Sequence, residues 1–137
     1  MGVWREPPEA LNALSYKVIG AAIEVHQTLG AGLLEKVYEN ALCVELARQG
    51  IPFRRQVPVQ MMYKGIQVGK GRIDLLVDET IVVELKVVSR LVEAHVAQVL
   101  TYLRAGGYPL GLIFNFGVSR LKDGGIRRVI LSAPSAS

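Results

Sequence analysis

One segment constrains this chain more than any other. Residues 72–88 read Arg72-Ile73-Asp74-Leu75-Leu76-Val77-Asp78-Glu79-Thr80-Ile81-Val82-Val83-Glu84-Leu85-Lys86-Val87-Val88. Two apolar runs flank the polar break Asp78-Glu79-Thr80, which is the pattern of a β-hairpin. The second run, 81–88, is almost continuously apolar and fits a central strand covered on both faces.

The charged residues inside that hairpin carry the chemistry. If Val77 faces Ile81, then Asp74 faces Glu84. Like charges directly opposite on a hairpin are destabilising, and among Leu, Val and Ile neighbours they are poorly solvated. A divalent cation between the carboxylates is the simplest relief, and hard oxygen donors suit Mg²⁺ or Mn²⁺. Lys86 follows Glu84 by two residues and so points to the same face. Two acids and an ammonium on one face are what a metal-dependent phosphodiesterase needs to hold an ion, place a water and stabilise phosphorane-like charge.

The elements around the hairpin follow from periodicity. Leu11, Leu14, Val18, Ala22, Val25 and Leu29 recur at three- and four-residue steps, predicting an amphipathic helix that Gly30-Ala31-Gly32 ends. A second helix is expected over 33–49, with Leu34, Val37, Tyr38, Ala41, Leu42 and Leu46 inward, stopped by Gly50 and Pro52. The period then changes to two: Val57, Val59, Met61 and Tyr63 alternate with more polar positions. Lys64-Gly65 is a tight-turn signal. A long strand over 66–77 follows, with Gly69 and Gly71 as bulge candidates. Ser89 is the expected N-cap of a third helix over 91–105, and Gly106-Gly107 closes it. Strands are expected over 110–116 and 126–131, separated by the turn Lys122-Asp123-Gly124-Gly125. A strand–helix–strand crossover after a meander makes a mixed sheet with helices packed on it.

At 137 residues the chain is expected to form one domain, 1–137, with an irregular lead over 1–8 and a disordered tail over 132–137. The net charge of +4 permits a polyanionic partner without demanding one. The single Cys43 lies in an apolar helical pattern and reads as a buried thiol, so there is no disulfide framework. Trp4, Arg5, Glu6, Pro7 and Pro8 do not form a signal peptide, and no apolar stretch has spanning length, so the expected location is cytoplasmic, without a membrane.

Three motifs in order complete the pattern: Gly32-Leu33-Leu34-Glu35-Lys36-Val37-Tyr38 as G-x-x-E-x-x-Y, Asp74 with Glu84-Leu85-Lys86 as D-x9-E-x-K, and Gln98 with Tyr102 as Q-x-x-x-Y. Together they resemble the GxxExxY proteins, a small-domain branch of the PD-(D/E)XK nuclease-like superfamily, over nearly the whole chain. The resemblance implies an α/β fold with a restriction-endonuclease-like αβββαβ core, in agreement with the order of elements above. It adds the backbone carbonyl of Leu85 as a metal ligand beside Asp74 and Glu84, and Glu35 as a further member of the acidic cluster. As in RecB-like nucleases, Gln98 and Tyr102 would line the site.

Each residue also has a plainer reading. Lys86 could serve only in an ion pair, and Glu35 is favoured in a first helical turn by the helix dipole alone. Tyr38 reads as a packed aromatic with its hydroxyl toward the site. Gln98, Tyr102 and His95 share one helix face and could be only a polar rim. His26 reads as a hydrogen-bonded structural histidine. Lys70, Arg72 and Arg90, near the hairpin mouth, are the best phosphate-contact candidates. The expected function is a metal-dependent nuclease acting on phosphodiester bonds in DNA. The alternatives are a catalytically silent nucleic-acid-binding or assembly module and a structural oligomerisation protein. A domain this small would need a second copy to surround a duplex.

Overall fold

The structure, a computed structural model, describes residues 7–131, so the expected disordered tail lies outside the described residues, as does most of the lead. The chain runs α1 (Glu9–Leu29), α2 (Glu35–Arg48), β1 (Phe53–Tyr63), β2 (Ile66–Val77), β3 (Ile81–Lys86), α3 (Glu93–Gly106), β4 (Leu110–Asn115) and β5 (Ile126–Ile130). The five strands form one sheet in the order β1-β2-β3-β4-β5. Only the β3–β4 pair is parallel, because α3 carries the chain back across the sheet between them.

β3 is the middle strand. Ile81, Val83 and Leu85 pack with α1 and α2, and with Phe114 and Phe116, on one face. Val82 packs with Val99, Tyr102 and Leu103 of α3 on the other. This two-sided burial explains why the strand lacks polar alternation. α3 lies close on β4 because Gly111 leaves room for Val99: a β-carbon there would stand 2.5 Å from Val99 Cγ1. The inward line of α2 is Tyr38, Glu39, Leu42, Cys43 and Leu46. Leu34 and Val37, expected to point inward, are exposed. Leu34 precedes the helix, and Val37 stands one residue, about 100°, off the Tyr38–Leu42–Leu46 line.

Three local expectations are corrected. β3 ends at Lys86 because Val88 is held instead by the Asn115 side chain, which accepts from Val88 N–H at 3.0 Å and donates to Val88 C=O at 3.0 Å. Ser89 therefore caps nothing. α3 starts after Val92, whose N–H donates to His95 Nδ1 at 3.1 Å. Gly71 is not a bulge: a β-carbon there would lie 2.6 Å from the Tyr102 ring, so the residue gives that ring its clearance. The register shift falls beside Gly69, where Met61 pairs Gly69 but Met62 pairs Gln67, leaving Val68 unpaired. Lys64 (φ 49°) and Gly65 (φ 80°) make the expected tight turn. No described helix is long and apolar enough to cross a membrane.

Candidate active site

The Val77↔Ile81 register holds, but the β2–β3 ladder runs only as far as Leu75↔Val83. At the next step side chains replace it. Asp74 N–H donates to Glu84 Oε1 at 3.2 Å, and Leu85 N–H donates to Asp74 Oδ2 at 2.8 Å. The acids do not merely oppose each other; each accepts a backbone N–H from the other strand. The strand also rolls here. Ile73 and Leu76 both pack on the α3 side although they are three apart, so alternation is broken at Asp74. On β1 the residue opposite is Gln56, in the left-handed region at φ 52°. A non-glycine residue there costs energy that the surroundings must offset, and the Gln56 side chain bonds both Asp74 and Glu39.

Glu39 was not evident from sequence. It is buried on α2, and its carboxylate accepts from Arg55 Nε at 2.9 Å, Arg55 NH2 at 2.8 Å, Gln56 Nε2 at 2.8 Å and Lys36 Nζ at 3.2 Å. The available signal was its place four residues after Glu35, on the same helix face. Its partners on β1 carried none.

The site is electrostatically loaded. Burial, and then the Asp74 charge, push Glu84 up to about 8, while Lys86 pulls it back down in part. Asp74 is also raised, by burial first, with the Leu85 N–H opposing. Glu35 is raised by desolvation and then by Asp74, which places its carboxyl within the same field. Lys86 donates to Gln98 Oε1 at 3.0 Å rather than to either carboxylate, and Gln98 Nε2 donates to the Tyr102 hydroxyl at 3.1 Å. A polar chain thus runs from Lys86, beside the acid pair, onto α3. Gln56, Pro58, Lys70, Gly71, Arg72 and Asp74 line a cleft on the strand surface, so two of the three phosphate candidates border the acids. Arg90 is exposed in the β3–α3 connection.

An acid pair between two β-strands, Glu84 buried and Asp74 half-buried, an E-x-K lysine on the Glu84 strand and a glutamine–tyrosine pair from the crossover helix make one constellation. The profile of the PD-(D/E)XK nuclease superfamily matches residues 12–129. The chain belongs to this superfamily. No curated protein and no solved structure matches the chain. PD-(D/E)XK proteins are typically metal-dependent. Among the described residues, no set of three or more His, Cys, Asp or Glu side chains is arranged to hold a metal ion. Two carboxylates are arranged at the centre, each with one oxygen accepting a backbone N–H from the other strand. Hard oxygen donors whose charge Lys86 offsets only in part fit a divalent cation whose other ligands are water or phosphate oxygens.

Tyr38, His95 and His26 stand outside the site. The Tyr38 hydroxyl donates to Gly30 C=O and accepts Leu33 N–H at 3.0 Å, so it ties the α1–α2 loop and does not address the site. Its ring stacks on Phe116 at 4.3 Å. In this PD-(D/E)XK chain the glycine and tyrosine of G-x-x-E-x-x-Y are therefore loop architecture, while Glu35 is the member near the acids. His95 caps α3, and the buried His26 bonds Val118 C=O at 2.8 Å, as its plainer reading expected. Cys43 is a buried free thiol whose pKa burial raises.

Proposed function

We propose that this protein is a metal-dependent nuclease of the GxxExxY branch, acting in the cytoplasm on phosphodiester bonds in DNA. The observation that carries the reading is the acid pair itself. A carboxyl raised to about 8 by burial and by a neighbouring carboxylate is a costly way to accept the Asp74 N–H, which a Gln amide oxygen would accept without charge.

Asp74, Glu84 and the Leu85 carbonyl would hold Mg²⁺ or Mn²⁺, with Glu35 closing the acidic side. Such an ion, when bound, supplies Lewis-acid polarisation and a more acidic water. Lys86 carries the charge that offsets negative charge developing on the phosphoryl oxygens. Gln98 holds the Lys86 ammonium in place, and Tyr102, packed over Gly71, fixes Gln98. Lys70 and Arg72 contact backbone phosphates along the cleft, and Arg90 contacts them from the β3–α3 connection.

The test is a cleavage assay on labelled single-stranded, duplex and branched DNA and RNA with Mg²⁺ or Mn²⁺. The expected result is cleavage that chelator and Glu84→Gln both abolish. Absence of cleavage on every substrate, with nucleic-acid binding intact, would replace the enzyme by a silent binding module.

A further inference from the structure

The β1–β2 hairpin extends well beyond the sheet. β2 pairs with β3 only over Leu75 to Val77, whereas it pairs with β1 out to Tyr63↔Ile66. The inner part of this arm is braced on one face by α3, where Val57, Val59 and Ile73 pack with Tyr102. Met62 still borders a cleft against Thr101, Arg104 and Ala105 of α3, beyond it the bracing stops, and residues 62–68 are all exposed. Four of them are large and apolar: Met62 at 55%, Tyr63 at 61%, Ile66 at 68% and Val68 at 64% exposure. An apolar cluster on an unsupported turn loses the benefit of burial, so it points to an interaction.

The chemistry of the arm says with what. Between Arg55 and Asp74 there is no acidic residue, whereas Lys64, Lys70 and Arg72 are basic. The pairs Pro58↔Arg72 and Gln60↔Lys70 lie on the face opposite Val57 and Val59, and all four residues are exposed. They form a polar, cationic track from Asp74 toward the tip, across the ribbon from the Tyr63↔Ile66 pair, which continues the Val57–Val59 face, and Lys64 in the turn stands 5.3 Å from the Tyr63 ring centroid. The track leads from the acids proposed to act on phosphodiesters, and a phosphate backbone is the polyanion that meets both.

The geometry points to the hairpin tip as a stacking wedge for unpaired bases, held in register by phosphate contacts along Lys70 and Arg72. The favoured substrate is then a nucleic acid with a paired-to-unpaired boundary. Ile66 is eight residues from Asp74, roughly 25 Å along an extended strand, which is roughly seven nucleotide steps from the acids. Apolar side chains at such boundaries insert between or stack on bases with little sequence preference. The inference rests on the nuclease reading for its substrate class, but binding alone tests it.

The experiment measures anisotropy of a labelled forked duplex and of a fully paired duplex of the same sequence, in chelator so that nothing is cut. The wild type should prefer the fork by about tenfold. Tyr63→Ser with Ile66→Ser, both exposed and so neutral for folding, should lose that preference and keep its affinity for the paired duplex. Lys70→Ala with Arg72→Ala should weaken both substrates alike and flatten the salt dependence. A wild type without fork preference, or a tip variant that keeps it, overturns the proposal. So does sedimentation showing a wild-type dimer that the tip variant dissociates with fork preference unchanged, since the tip would then bind a second copy. Fork preference without cleavage in metal supports the wedge and removes only the nuclease reading; cleavage without fork preference removes only the wedge.

Discussion

Tyr38 and Tyr102 are both buried tyrosines on helices that flank the same acid pair, and both belong to motif patterns. Yet their hydroxyls have opposite uses. Tyr38, on the α2 side, spends its hydroxyl on two backbone groups of the α1–α2 loop. Tyr102, on the α3 side, ends a side-chain chain that starts at Lys86. A motif tyrosine therefore marks a place where a hydroxyl is needed, not a place where chemistry occurs. The α2 side supplies architecture and field, through the Tyr38 loop tie, Glu39 and Glu35. The α3 side supplies the groups that position Lys86.

The largest effect that sharpens this contrast is expected at Lys86. Lys86→Ala should lower kcat by about 10²–10³-fold with metal affinity retained, as loss of a charge donor to a transition state does. Gln98→Ala should fold normally and move kcat in the same direction by less. If Lys86→Ala cuts at the wild-type rate in saturating metal, the α3 side is only a rim.

The second prediction concerns pH in chelator. Glu84 has a folded pKa of about 8, raised from 4.5, so the folded state holds that proton more tightly than the unfolded chain does. Its contribution to stability is complete below about 4.5 and is lost as pH rises through about 8, on the order of a few kcal/mol. Melting temperature of the metal-free protein should fall across that window, and Glu84→Gln should flatten the fall. Mn²⁺ should raise the wild-type melting temperature by mass action and that of Glu84→Gln much less. Equal metal shifts in both proteins would take the ion away from the hairpin.

The tyrosines give the third and most direct comparison. Tyr38→Phe should destabilise by about 1–2 kcal/mol in denaturant melts, because the Gly30 carbonyl and Leu33 N–H lose their partner, with kcat of the folded protein unchanged. Tyr102→Phe should do the reverse: a small stability change and reduced turnover. Matching profiles for the two variants would abolish the distinction between the two sides.

The smallest effect is expected at Asp74. The amide of Asp74→Asn keeps an oxygen for Leu85 N–H and removes one of two close charges. The metal-free variant at pH 8 should be as stable as the wild type or more so, by about 0.2–1 kcal/mol, and Mn²⁺ should reverse that order. A clearly destabilised metal-free variant would make Asp74 a structural acceptor.

Much of this molecule was legible without coordinates. Apolar periodicity together with turn and stop signals placed the eight elements within a few residues, because burial on a helix or strand imposes its own spacing. The D-x9-E-x-K spacing placed Asp74, Glu84 and Lys86 together because a hairpin register is a local property. What the sequence could not contain was the direction of polar side chains among partners far along the chain. Tyr38 turned to a loop because Phe116, 78 residues later, stacks on its ring. Val88 left the strand because Asn115 captured its backbone. Glu39 became a hub because a left-handed Gln56 and Arg55 reach it from the edge strand. Hydrophobic burial is read from one segment at a time, but hydrogen bonds and charge fields need both partners placed to within an ångström, and only the packed sheet and helices do that.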